Sequence, residues 1–278
     1  MITINSISGG KTSSYIAVNY PADYNIFSLV RTDDKNCLFP DKKIRQIVSD
    51  KLNVDFIGTL EEDAIIYTML DLEQLIGSKI DWVTGKTFDE IIVKNYLPNI
   101  MKRFCTTEMK LKPMFEWWLK NFSEPVEMRI GFRANETSRA ERMILKTSEN
   151  GFSTFKHIVG KTKTGNSNKW NDTEWQKPVF PLIEDRVFKD TIEKFWSDKP
   201  VRFAYMNNCI GCFHRNEILL KKMSEKHPEK FNWFCEQEKR TNNTFKNGTT
   251  YDKIRNHKLQ IELFDEDFDE CDSGYCGL

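Results

Sequence analysis

The sequence predicts an α/β protein: a doubly wound, mostly parallel sheet with a helical insertion, completed by a cysteine-bearing C-terminal region. Three observations predict it. Apolar strand-like runs alternate with helical stretches through the first half of the chain. The first such run leads directly into Ser8-Gly9-Gly10-Lys11-Thr12-Ser13-Ser14, which opens a helix. Cys209 and Cys212 occupy an Asn- and Gly-containing corner after the last strand-like run.

Taken in order, residues 2–7 read as a strand through Ile2, Ile4 and Ile7, and 11–19 as a helix ending before Pro21. Residues 25–31 form a second strand, 41–52 a helix after Pro40, and 54–58 a third strand. Helical crossovers of this length imply parallel strands with helices on both faces. Residues 62–102 carry helical spacing at Ile65, Ile66, Met69, Leu72 and Leu75, then a Gly/Thr turn, and read as the helical insertion. A helix at 107–121 leads to a strand at 126–130 and a short polar helix at 135–146. The stretch 161–177, rich in Lys, Thr, Asn and Gly, reads as a mobile loop or lid. A helix at 186–197, a strand-like run at 201–205 and helices near 213–225 and 229–240 follow, ahead of an acidic tail. The chain thus divides into a body over 1–200 and a C-terminal region over 201–278.

Lysine plus arginine and aspartate plus glutamate balance at 41 each, so no overall positive field draws the 278-residue chain to nucleic acid or anionic membrane. No apolar run reaches the length of a membrane span, and the first residues lack the layout of a signal peptide. The expected location is the cytoplasm. There the seven cysteines are free, metal-bound or catalytic rather than disulfide-paired.

The Ser8–Ser14 loop has the layout of a phosphate cradle. Adjacent glycines permit a tight turn, successive amides point at an anion, and the helix dipole stands behind them. Ser8, Thr12, Ser13 and Ser14 add hydroxyls, and Lys11 adds a charge. It is neither a Walker sequence nor a GxGxxG turn. Arg133 and Arg139 flank a turn after Gly131, and guanidinium forks suit phosphate or sulfate. The competing reading pairs them with Glu136 or Glu141 at the surface. Arg31, Thr32 and Asp33 end the second strand, where this type of sheet holds the nucleoside half of a ligand. Lys110 is a further candidate cation beside the phosphates. Cys209-x-x-Cys212 has chelating spacing, with free thiols as the alternative; Cys37 and Cys235 read as bystanders.

In order and spacing, these landmarks resemble the phosphoadenosine phosphosulfate (PAPS) reductase family, within the adenine-nucleotide α-hydrolase-like group that includes the PP-loop ATP pyrophosphatases. Four segments carry the resemblance: Ser8–Ser13, close to SGGKDS; Cys105 with Lys110 and Pro113; Gly131-Phe132-Arg133-Ala134-Asn135-Glu136-Thr137-Ser138-Arg139, similar to G-x-R-x-x-E/Q-x-x-R; and Pro178–Leu182 followed by Cys209–Cys212. The tail Tyr275-Cys276-Gly277-Leu278 is similar to the ECGLH segment, with Tyr275 for the acidic residue and no histidine following. Thr12 stands where ATP pyrophosphatases carry an aspartate, a change that leans toward the sulfonucleotide reductases.

The resemblance implies an adenine nucleotide (PAPS or its unphosphorylated analogue APS, or ATP with Mg²⁺) on the loop and Gly131, Arg133 and Arg139. It places Cys105 beside Cys209 and Cys212, with Cys271 or Cys276 as a fourth ligand. It favours a 4Fe–4S cluster there, with zinc the alternative. It also implies catalysis by Cys276 with Lys110 nearby. Two mechanisms are open: sulfonucleotide reduction through Cys276 with a thiol reductant protein, or ATP-dependent adenylylation and thiolation of tRNA, DNA or a small molecule. A nucleotide-binding sensor without turnover is the third reading.

Overall fold

The computed structural model describes residues 1–92, 96–162 and 167–257. Strands β1 (Thr3–Ile7), β2 (Tyr24–Ser28), β3 (Asp81–Val83), β4 (Val126–Arg129), β5 (Ser153–Lys161) and β6 (Asn168–Val179) form one sheet in the order β3-β2-β1-β4-β6-β5. All neighbours are parallel except the β5–β6 hairpin. Strand order reverses at β1, which runs between β2 and β4, so the crevice beyond the ends of β1 and β4 is the sheet's topological switch point.

Period-two alternation along the strands supplies two apolar faces. Ile7 and Phe27 pack with Ile16 of α1 (Lys11–Asn19), Val48 of α2 (Lys42–Leu52) and Ile65, Met69 and Leu72 of α3 (Ala64–Ile76). Ile4, Ile26 and Met128 face the other way. Between β3 and β4 lie two single turns, α4 (Phe88–Ile91) and α5 (Phe104–Thr106), then α6 (Lys112–Asn121), whose Met114, Phe115 and Trp118 cover that second face. It is extended by Ala140 and Met143 of α7 (Thr137–Ile144). Helices on both faces make the sheet doubly wound. The turn α8 (Pro181–Glu184) and α9 (Lys189–Trp196) return to the α1 face through Leu182 and Trp196.

A third core joins the sheet's C-terminal end to α10 (Glu217–Lys226), α11 (Pro228–Thr241) and α12 (Tyr251–Asn256). Val30, Leu60, Phe88 and Met109 meet Leu220, Met223, Phe231, Trp233 and Tyr251 there. Local signals set the boundaries. Asp41 caps α2, accepting from the Lys43 and Ile44 amides at 2.8 and 3.1 Å. Thr87 and Glu90 form a capping box on α4, and Pro228 opens α11.

Several sequence expectations are corrected. Residues 54–58 make only isolated bridges, from Gly58 to Thr32 and Leu38. The third parallel strand is β3, inside the expected helical insertion 62–102, so that segment is a helix–strand crossover. Three residues are too few to display a period, and Trp82 earns its place by packing edge-on to Phe27 at 5.1 Å. The expected lid at 161–177 is mostly β6, while 163–166 lie outside the described residues. Its polar residues conceal the strand because the hairpin's outer part is exposed on both faces. Residues 201–205 form no strand, and α12 was not anticipated.

Candidate functional site

The loop after β1 is built around glycine. Gly9 has φ +84°, and a Cβ there would lie 2.6 Å from Ile65 Cγ2. Gly10 opens α1 with φ −94° and ψ 159° and no side-chain cap, the arrangement that leaves an amide-lined helix start for an anion. Ser13 braces the turn from inside: its hydroxyl accepts from the Ser8 amide at 3.0 Å, donates to the Gly10 carbonyl at 3.2 Å and lies 3.0 Å from the Ser8 hydroxyl. Thr12 and Ser14 are buried, and the Ser14 hydroxyl has no hydrogen-bond partner among the described residues. Lys11 is ion-paired with Glu193 of α9, and its carbonyl accepts from Trp196 Nε1 at 2.9 Å. A Cβ on Gly131 would lie 3.4 Å from the Ser13 backbone and Thr12 Cγ2, so the segment after β4 closes directly on the loop.

Arg133 and Arg139 meet at one carboxylate. Glu136 accepts from the Arg133 amide at 2.9 Å and from its Nε at 3.0 Å, and its other oxygen holds Arg139. The Arg139 guanidinium lies 4.4 Å from the Phe132 ring centroid, and Phe132 stacks on Phe180 at 5.3 Å with 6° between planes. Both arginines therefore pair with Glu136 and stand beside the loop at the switch point.

Arg31, Thr32 and Asp33 also follow β2 as expected, but their side chains bind their own chain. Arg31 Nε donates to Thr84 Oγ1 at 2.9 Å. Asp89 accepts from the Thr32 hydroxyl at 2.7 Å and the Asp33 amide at 2.8 Å, and Asp33 accepts from Thr87 Oγ1 at 2.9 Å.

The cysteines converge elsewhere along the same end of the sheet. A cavity of about 50 Å³ is lined by Arg103, Cys105, Lys110, Cys209, Cys212 and His214, among others. Cys209 and Cys212 sit on one hydrogen-bonded turn, the Cys212 amide donating to the Cys209 carbonyl at 3.0 Å. The Ile210 amide anchors this turn to the Leu60 carbonyl at 2.8 Å. Gly211 is required because a Cβ would enter the Phe234 ring at 2.5 Å. Cys105 precedes a π-helical turn, Thr107–Leu111, which continues into α6 and carries Lys110. A freed carbonyl of that turn, Met109, accepts from Ser28 Oγ at 3.0 Å.

Charges surround the thiols. Lys110 Nζ lies 2.9 Å from Glu61, whose side chain is 1% exposed. Burial works against the lysine's charge, but Glu61 and then Cys209 and Cys212 outweigh it, and its pKa is raised. Burial pushes the Cys105 thiol up to about 11, Cys212 adding to the rise and Arg103 opposing it. Burial and then Glu61 hold Cys209 well above the usual thiol value, against Lys110. Burial, helped by Arg139, lowers the Arg103 pKa against the opposing pull of Cys105 and Cys212; its Nε has no hydrogen-bond partner among the described residues. It thus stands electrostatically between the arginine segment and the thiol cavity.

Among the described residues, no group of three or more His, Cys, Asp and Glu side chains is placed to hold a metal ion. The three thiols share a cavity without forming a ready ligand set. Cys271 and Cys276 lie outside the described residues. Cys37 and Cys235 are buried in the cores, their thiols pushed up by burial to about 12 and about 11. His214 is lowered to about 4 by burial and by Arg103 and Lys246.

Arg103 and Glu61 were missed from sequence, whereas the pairing of Arg133 and Arg139 with Glu136 was the competing reading there, met here with Arg133 buried rather than at the surface. Only Arg103 carried a signal, two residues ahead of Cys105. Glu61 becomes legible only once the corner carrying Ile210 covers residues 60–62. No helix among the described residues is long and apolar enough to cross a membrane. Comparison of the chain with protein-family models, with curated proteins and with solved structures finds no match.

Proposed function

We propose that the chain is an adenine-nucleotide-dependent enzyme of sulfur chemistry, of the PAPS reductase type. The observation that carries this reading is the meeting of the Ser8–Ser14 loop with Gly131 at the switch point, Arg133 and Arg139 alongside and three thiols next to them across Arg103. The loop and arginines hold the anionic half of the nucleotide. In the first reading that ligand is a sulfonucleotide. The Cys276 thiolate attacks its sulfur, an S–S bond forms, the sulfur–oxygen bond to phosphate breaks, and the nucleoside phosphate leaves with the electron pair. A thiol of an external reductant protein then attacks the Cys276 sulfur, closing a disulfide and releasing sulfite. Lys110 and Arg103 supply positive charge to the thiols. The cysteines do not form a ready ligand set among the described residues, so neither iron–sulfur nor zinc enters these steps.

A second reading is favoured by the three thiols in one cavity. Here a carbonyl oxygen of an acceptor attacks the α-phosphorus of Mg-bound ATP and pyrophosphate leaves. A persulfide on one cavity cysteine, formed when that thiol takes the outer sulfur of an external donor persulfide and releases the donor as its thiol, then displaces AMP. A second cavity thiol closes a disulfide with the carrier and frees the thiolated product.

Single-turnover assays separate the readings. Sulfite release from PAPS, abolished in Cys276→Ala, supports the first. Acceptor-dependent pyrophosphate release from ATP that survives both Cys276→Ala and Cys209→Ala, with the thiolated product lost in Cys209→Ala, supports the second. Nucleotide binding with neither product overturns both and leaves a sensor.

A further inference from the structure

We propose that the β5–β6 hairpin is a docking arm for single-stranded nucleic acid. Only Gln176–Val179 of β6 pair with β4, so the outer part of the hairpin has no strand on either side among the described residues. Its root is fixed. Phe155 stacks on Phe115 of α6 at 4.7 Å, Trp175 meets the same ring edge-on at 5.8 Å, and His157 lies 3.0 Å from Thr173 Oγ1. Beyond that root the ribbon covers no core, yet it carries large apolar residues. Trp170 is 53% exposed and Ile158, its cross-strand partner on the same face, 48%. An isolated two-stranded ribbon gains little from displaying such groups to water.

Charge identifies the occupant. Lys156 has Asp172 as its cross-strand partner, but beyond that pair residues 157–162 and 167–171 carry Lys161 and Lys169 and no acidic residue, in a chain whose formal net charge is zero. An exposed indole with Lys161 diagonal to it across the ribbon and Lys169 adjacent to it in the strand is a stacking platform beside phosphate contacts, suited to unpaired bases. A second copy of the chain is disfavoured as occupant. An antiparallel pairing of two β5 edges centred between Ile158 and Val159 would bring the Lys156 of each copy against the Lys161 of the other, and the irregularity between Ile158 and Gly160 interrupts the ladder.

Position adds a length requirement. Asn168 to Val179 spans about 36 Å at roughly 3.3 Å per residue, and the nucleotide loop lies beyond the β4 end of that span. A polynucleotide reaches both places, and a mononucleotide does not. The inference rests on the second reading in one respect only, that it names the acceptor class there as a polynucleotide.

The test is fluorescence anisotropy with a fluorescein-labelled, mixed-sequence single-stranded RNA of about 16 nucleotides, alongside its duplex, at low and moderate salt. The expected result is salt-sensitive binding that prefers the single strand. Trp170→Ala weakens it about tenfold, and Lys161→Glu with Lys169→Glu weakens it and flattens its salt dependence, while ATP binding is unchanged in both. Absence of binding overturns the proposal. So does an affinity unchanged by Trp170→Ala, or a dimer in sedimentation that the lysine changes disrupt. Failure of ATP binding with RNA binding intact would instead sink the nucleotide reading and leave the arm.

Discussion

Lys110 and Glu61 form the most buried ion pair beside the thiol cavity, so each is costly without the other. Lys110→Met leaves a buried carboxylate uncompensated, with an expected loss of about 3–5 kcal/mol in urea unfolding. Adding Glu61→Leu is expected to recover most of it, and a double mutant as unstable as the single one would show that the pair does not set this cost. Gly9 is a sharper constraint. Ala at Gly9 combines a left-handed backbone with a 2.6 Å approach to Ile65, and is expected to cost about 1–3 kcal/mol, read as a lower melting temperature. The glycines were legible because only a tight turn after a strand uses two of them in sequence. Arg31, Thr32 and Asp33 were legible in place but not in use, since Asp89 and Thr84, which engage them, are more than fifty residues away.

At the scale of elements, the π turn Thr107–Leu111 sets the direction in which the Cys105 end faces relative to Lys110. One extra residue in a helix rotates everything before it by about 100° relative to a regular α-helix. Deleting the exposed Thr107 is expected to leave the helical circular dichroism intact while turning Cys105 from the cavity. A bifunctional thiol reagent should cross-link Cys105 to Cys212 in the native chain and fail to do so in the deletion. Equal cross-linking in both would remove the π turn from the account. Sequence spacing predicted a helix over 107–121 but not this register change, because a π turn leaves the apolar pattern of its flanks intact. Strands β1, β2 and β4 were legible from short apolar runs set between helical stretches; β3 and β5 were not. One is three residues long, and the other is half outside the core.

At the scale of the molecule, the C-terminal helices are clamped to the sheet through the start of α3. Glu62 accepts from the Met206 amide at 2.6 Å and lies 3.0 Å from His227, while Lys230 bonds the Glu61 carbonyl at 2.8 Å and Asp63 at 2.7 Å. Burial raises the Glu62 pKa, but bonds from His227 and Met206 and the charges of His227 and Lys226 outweigh it, leaving it below the usual 4.5. A depressed carboxylate contributes stability that is present above the unfolded value and lost as pH falls through the folded one. Glu62→Gln is therefore expected to be less stable than the native chain at pH 7 by about 1–3 kcal/mol, with the difference closing under acid. A gap in urea midpoint that stays constant with pH would contradict this. The clamp holds the corner carrying Cys209 and Cys212 against the sheet end, which is how a distant segment comes to line one cavity with Cys105 and Lys110.

The central claim is that the Ser8–Ser14 loop binds an adenine nucleotide through its phosphates. Isothermal titration of PAPS, of ATP with Mg²⁺ and of adenosine into the native chain tests it most directly. The account predicts one site for at least one of the two nucleotides, and adenosine binding weaker by a factor of about a hundred or more, the loss of charge-assisted phosphate contacts. Adenosine binding as tightly as the nucleotides, or no nucleotide binding at all, would contradict it.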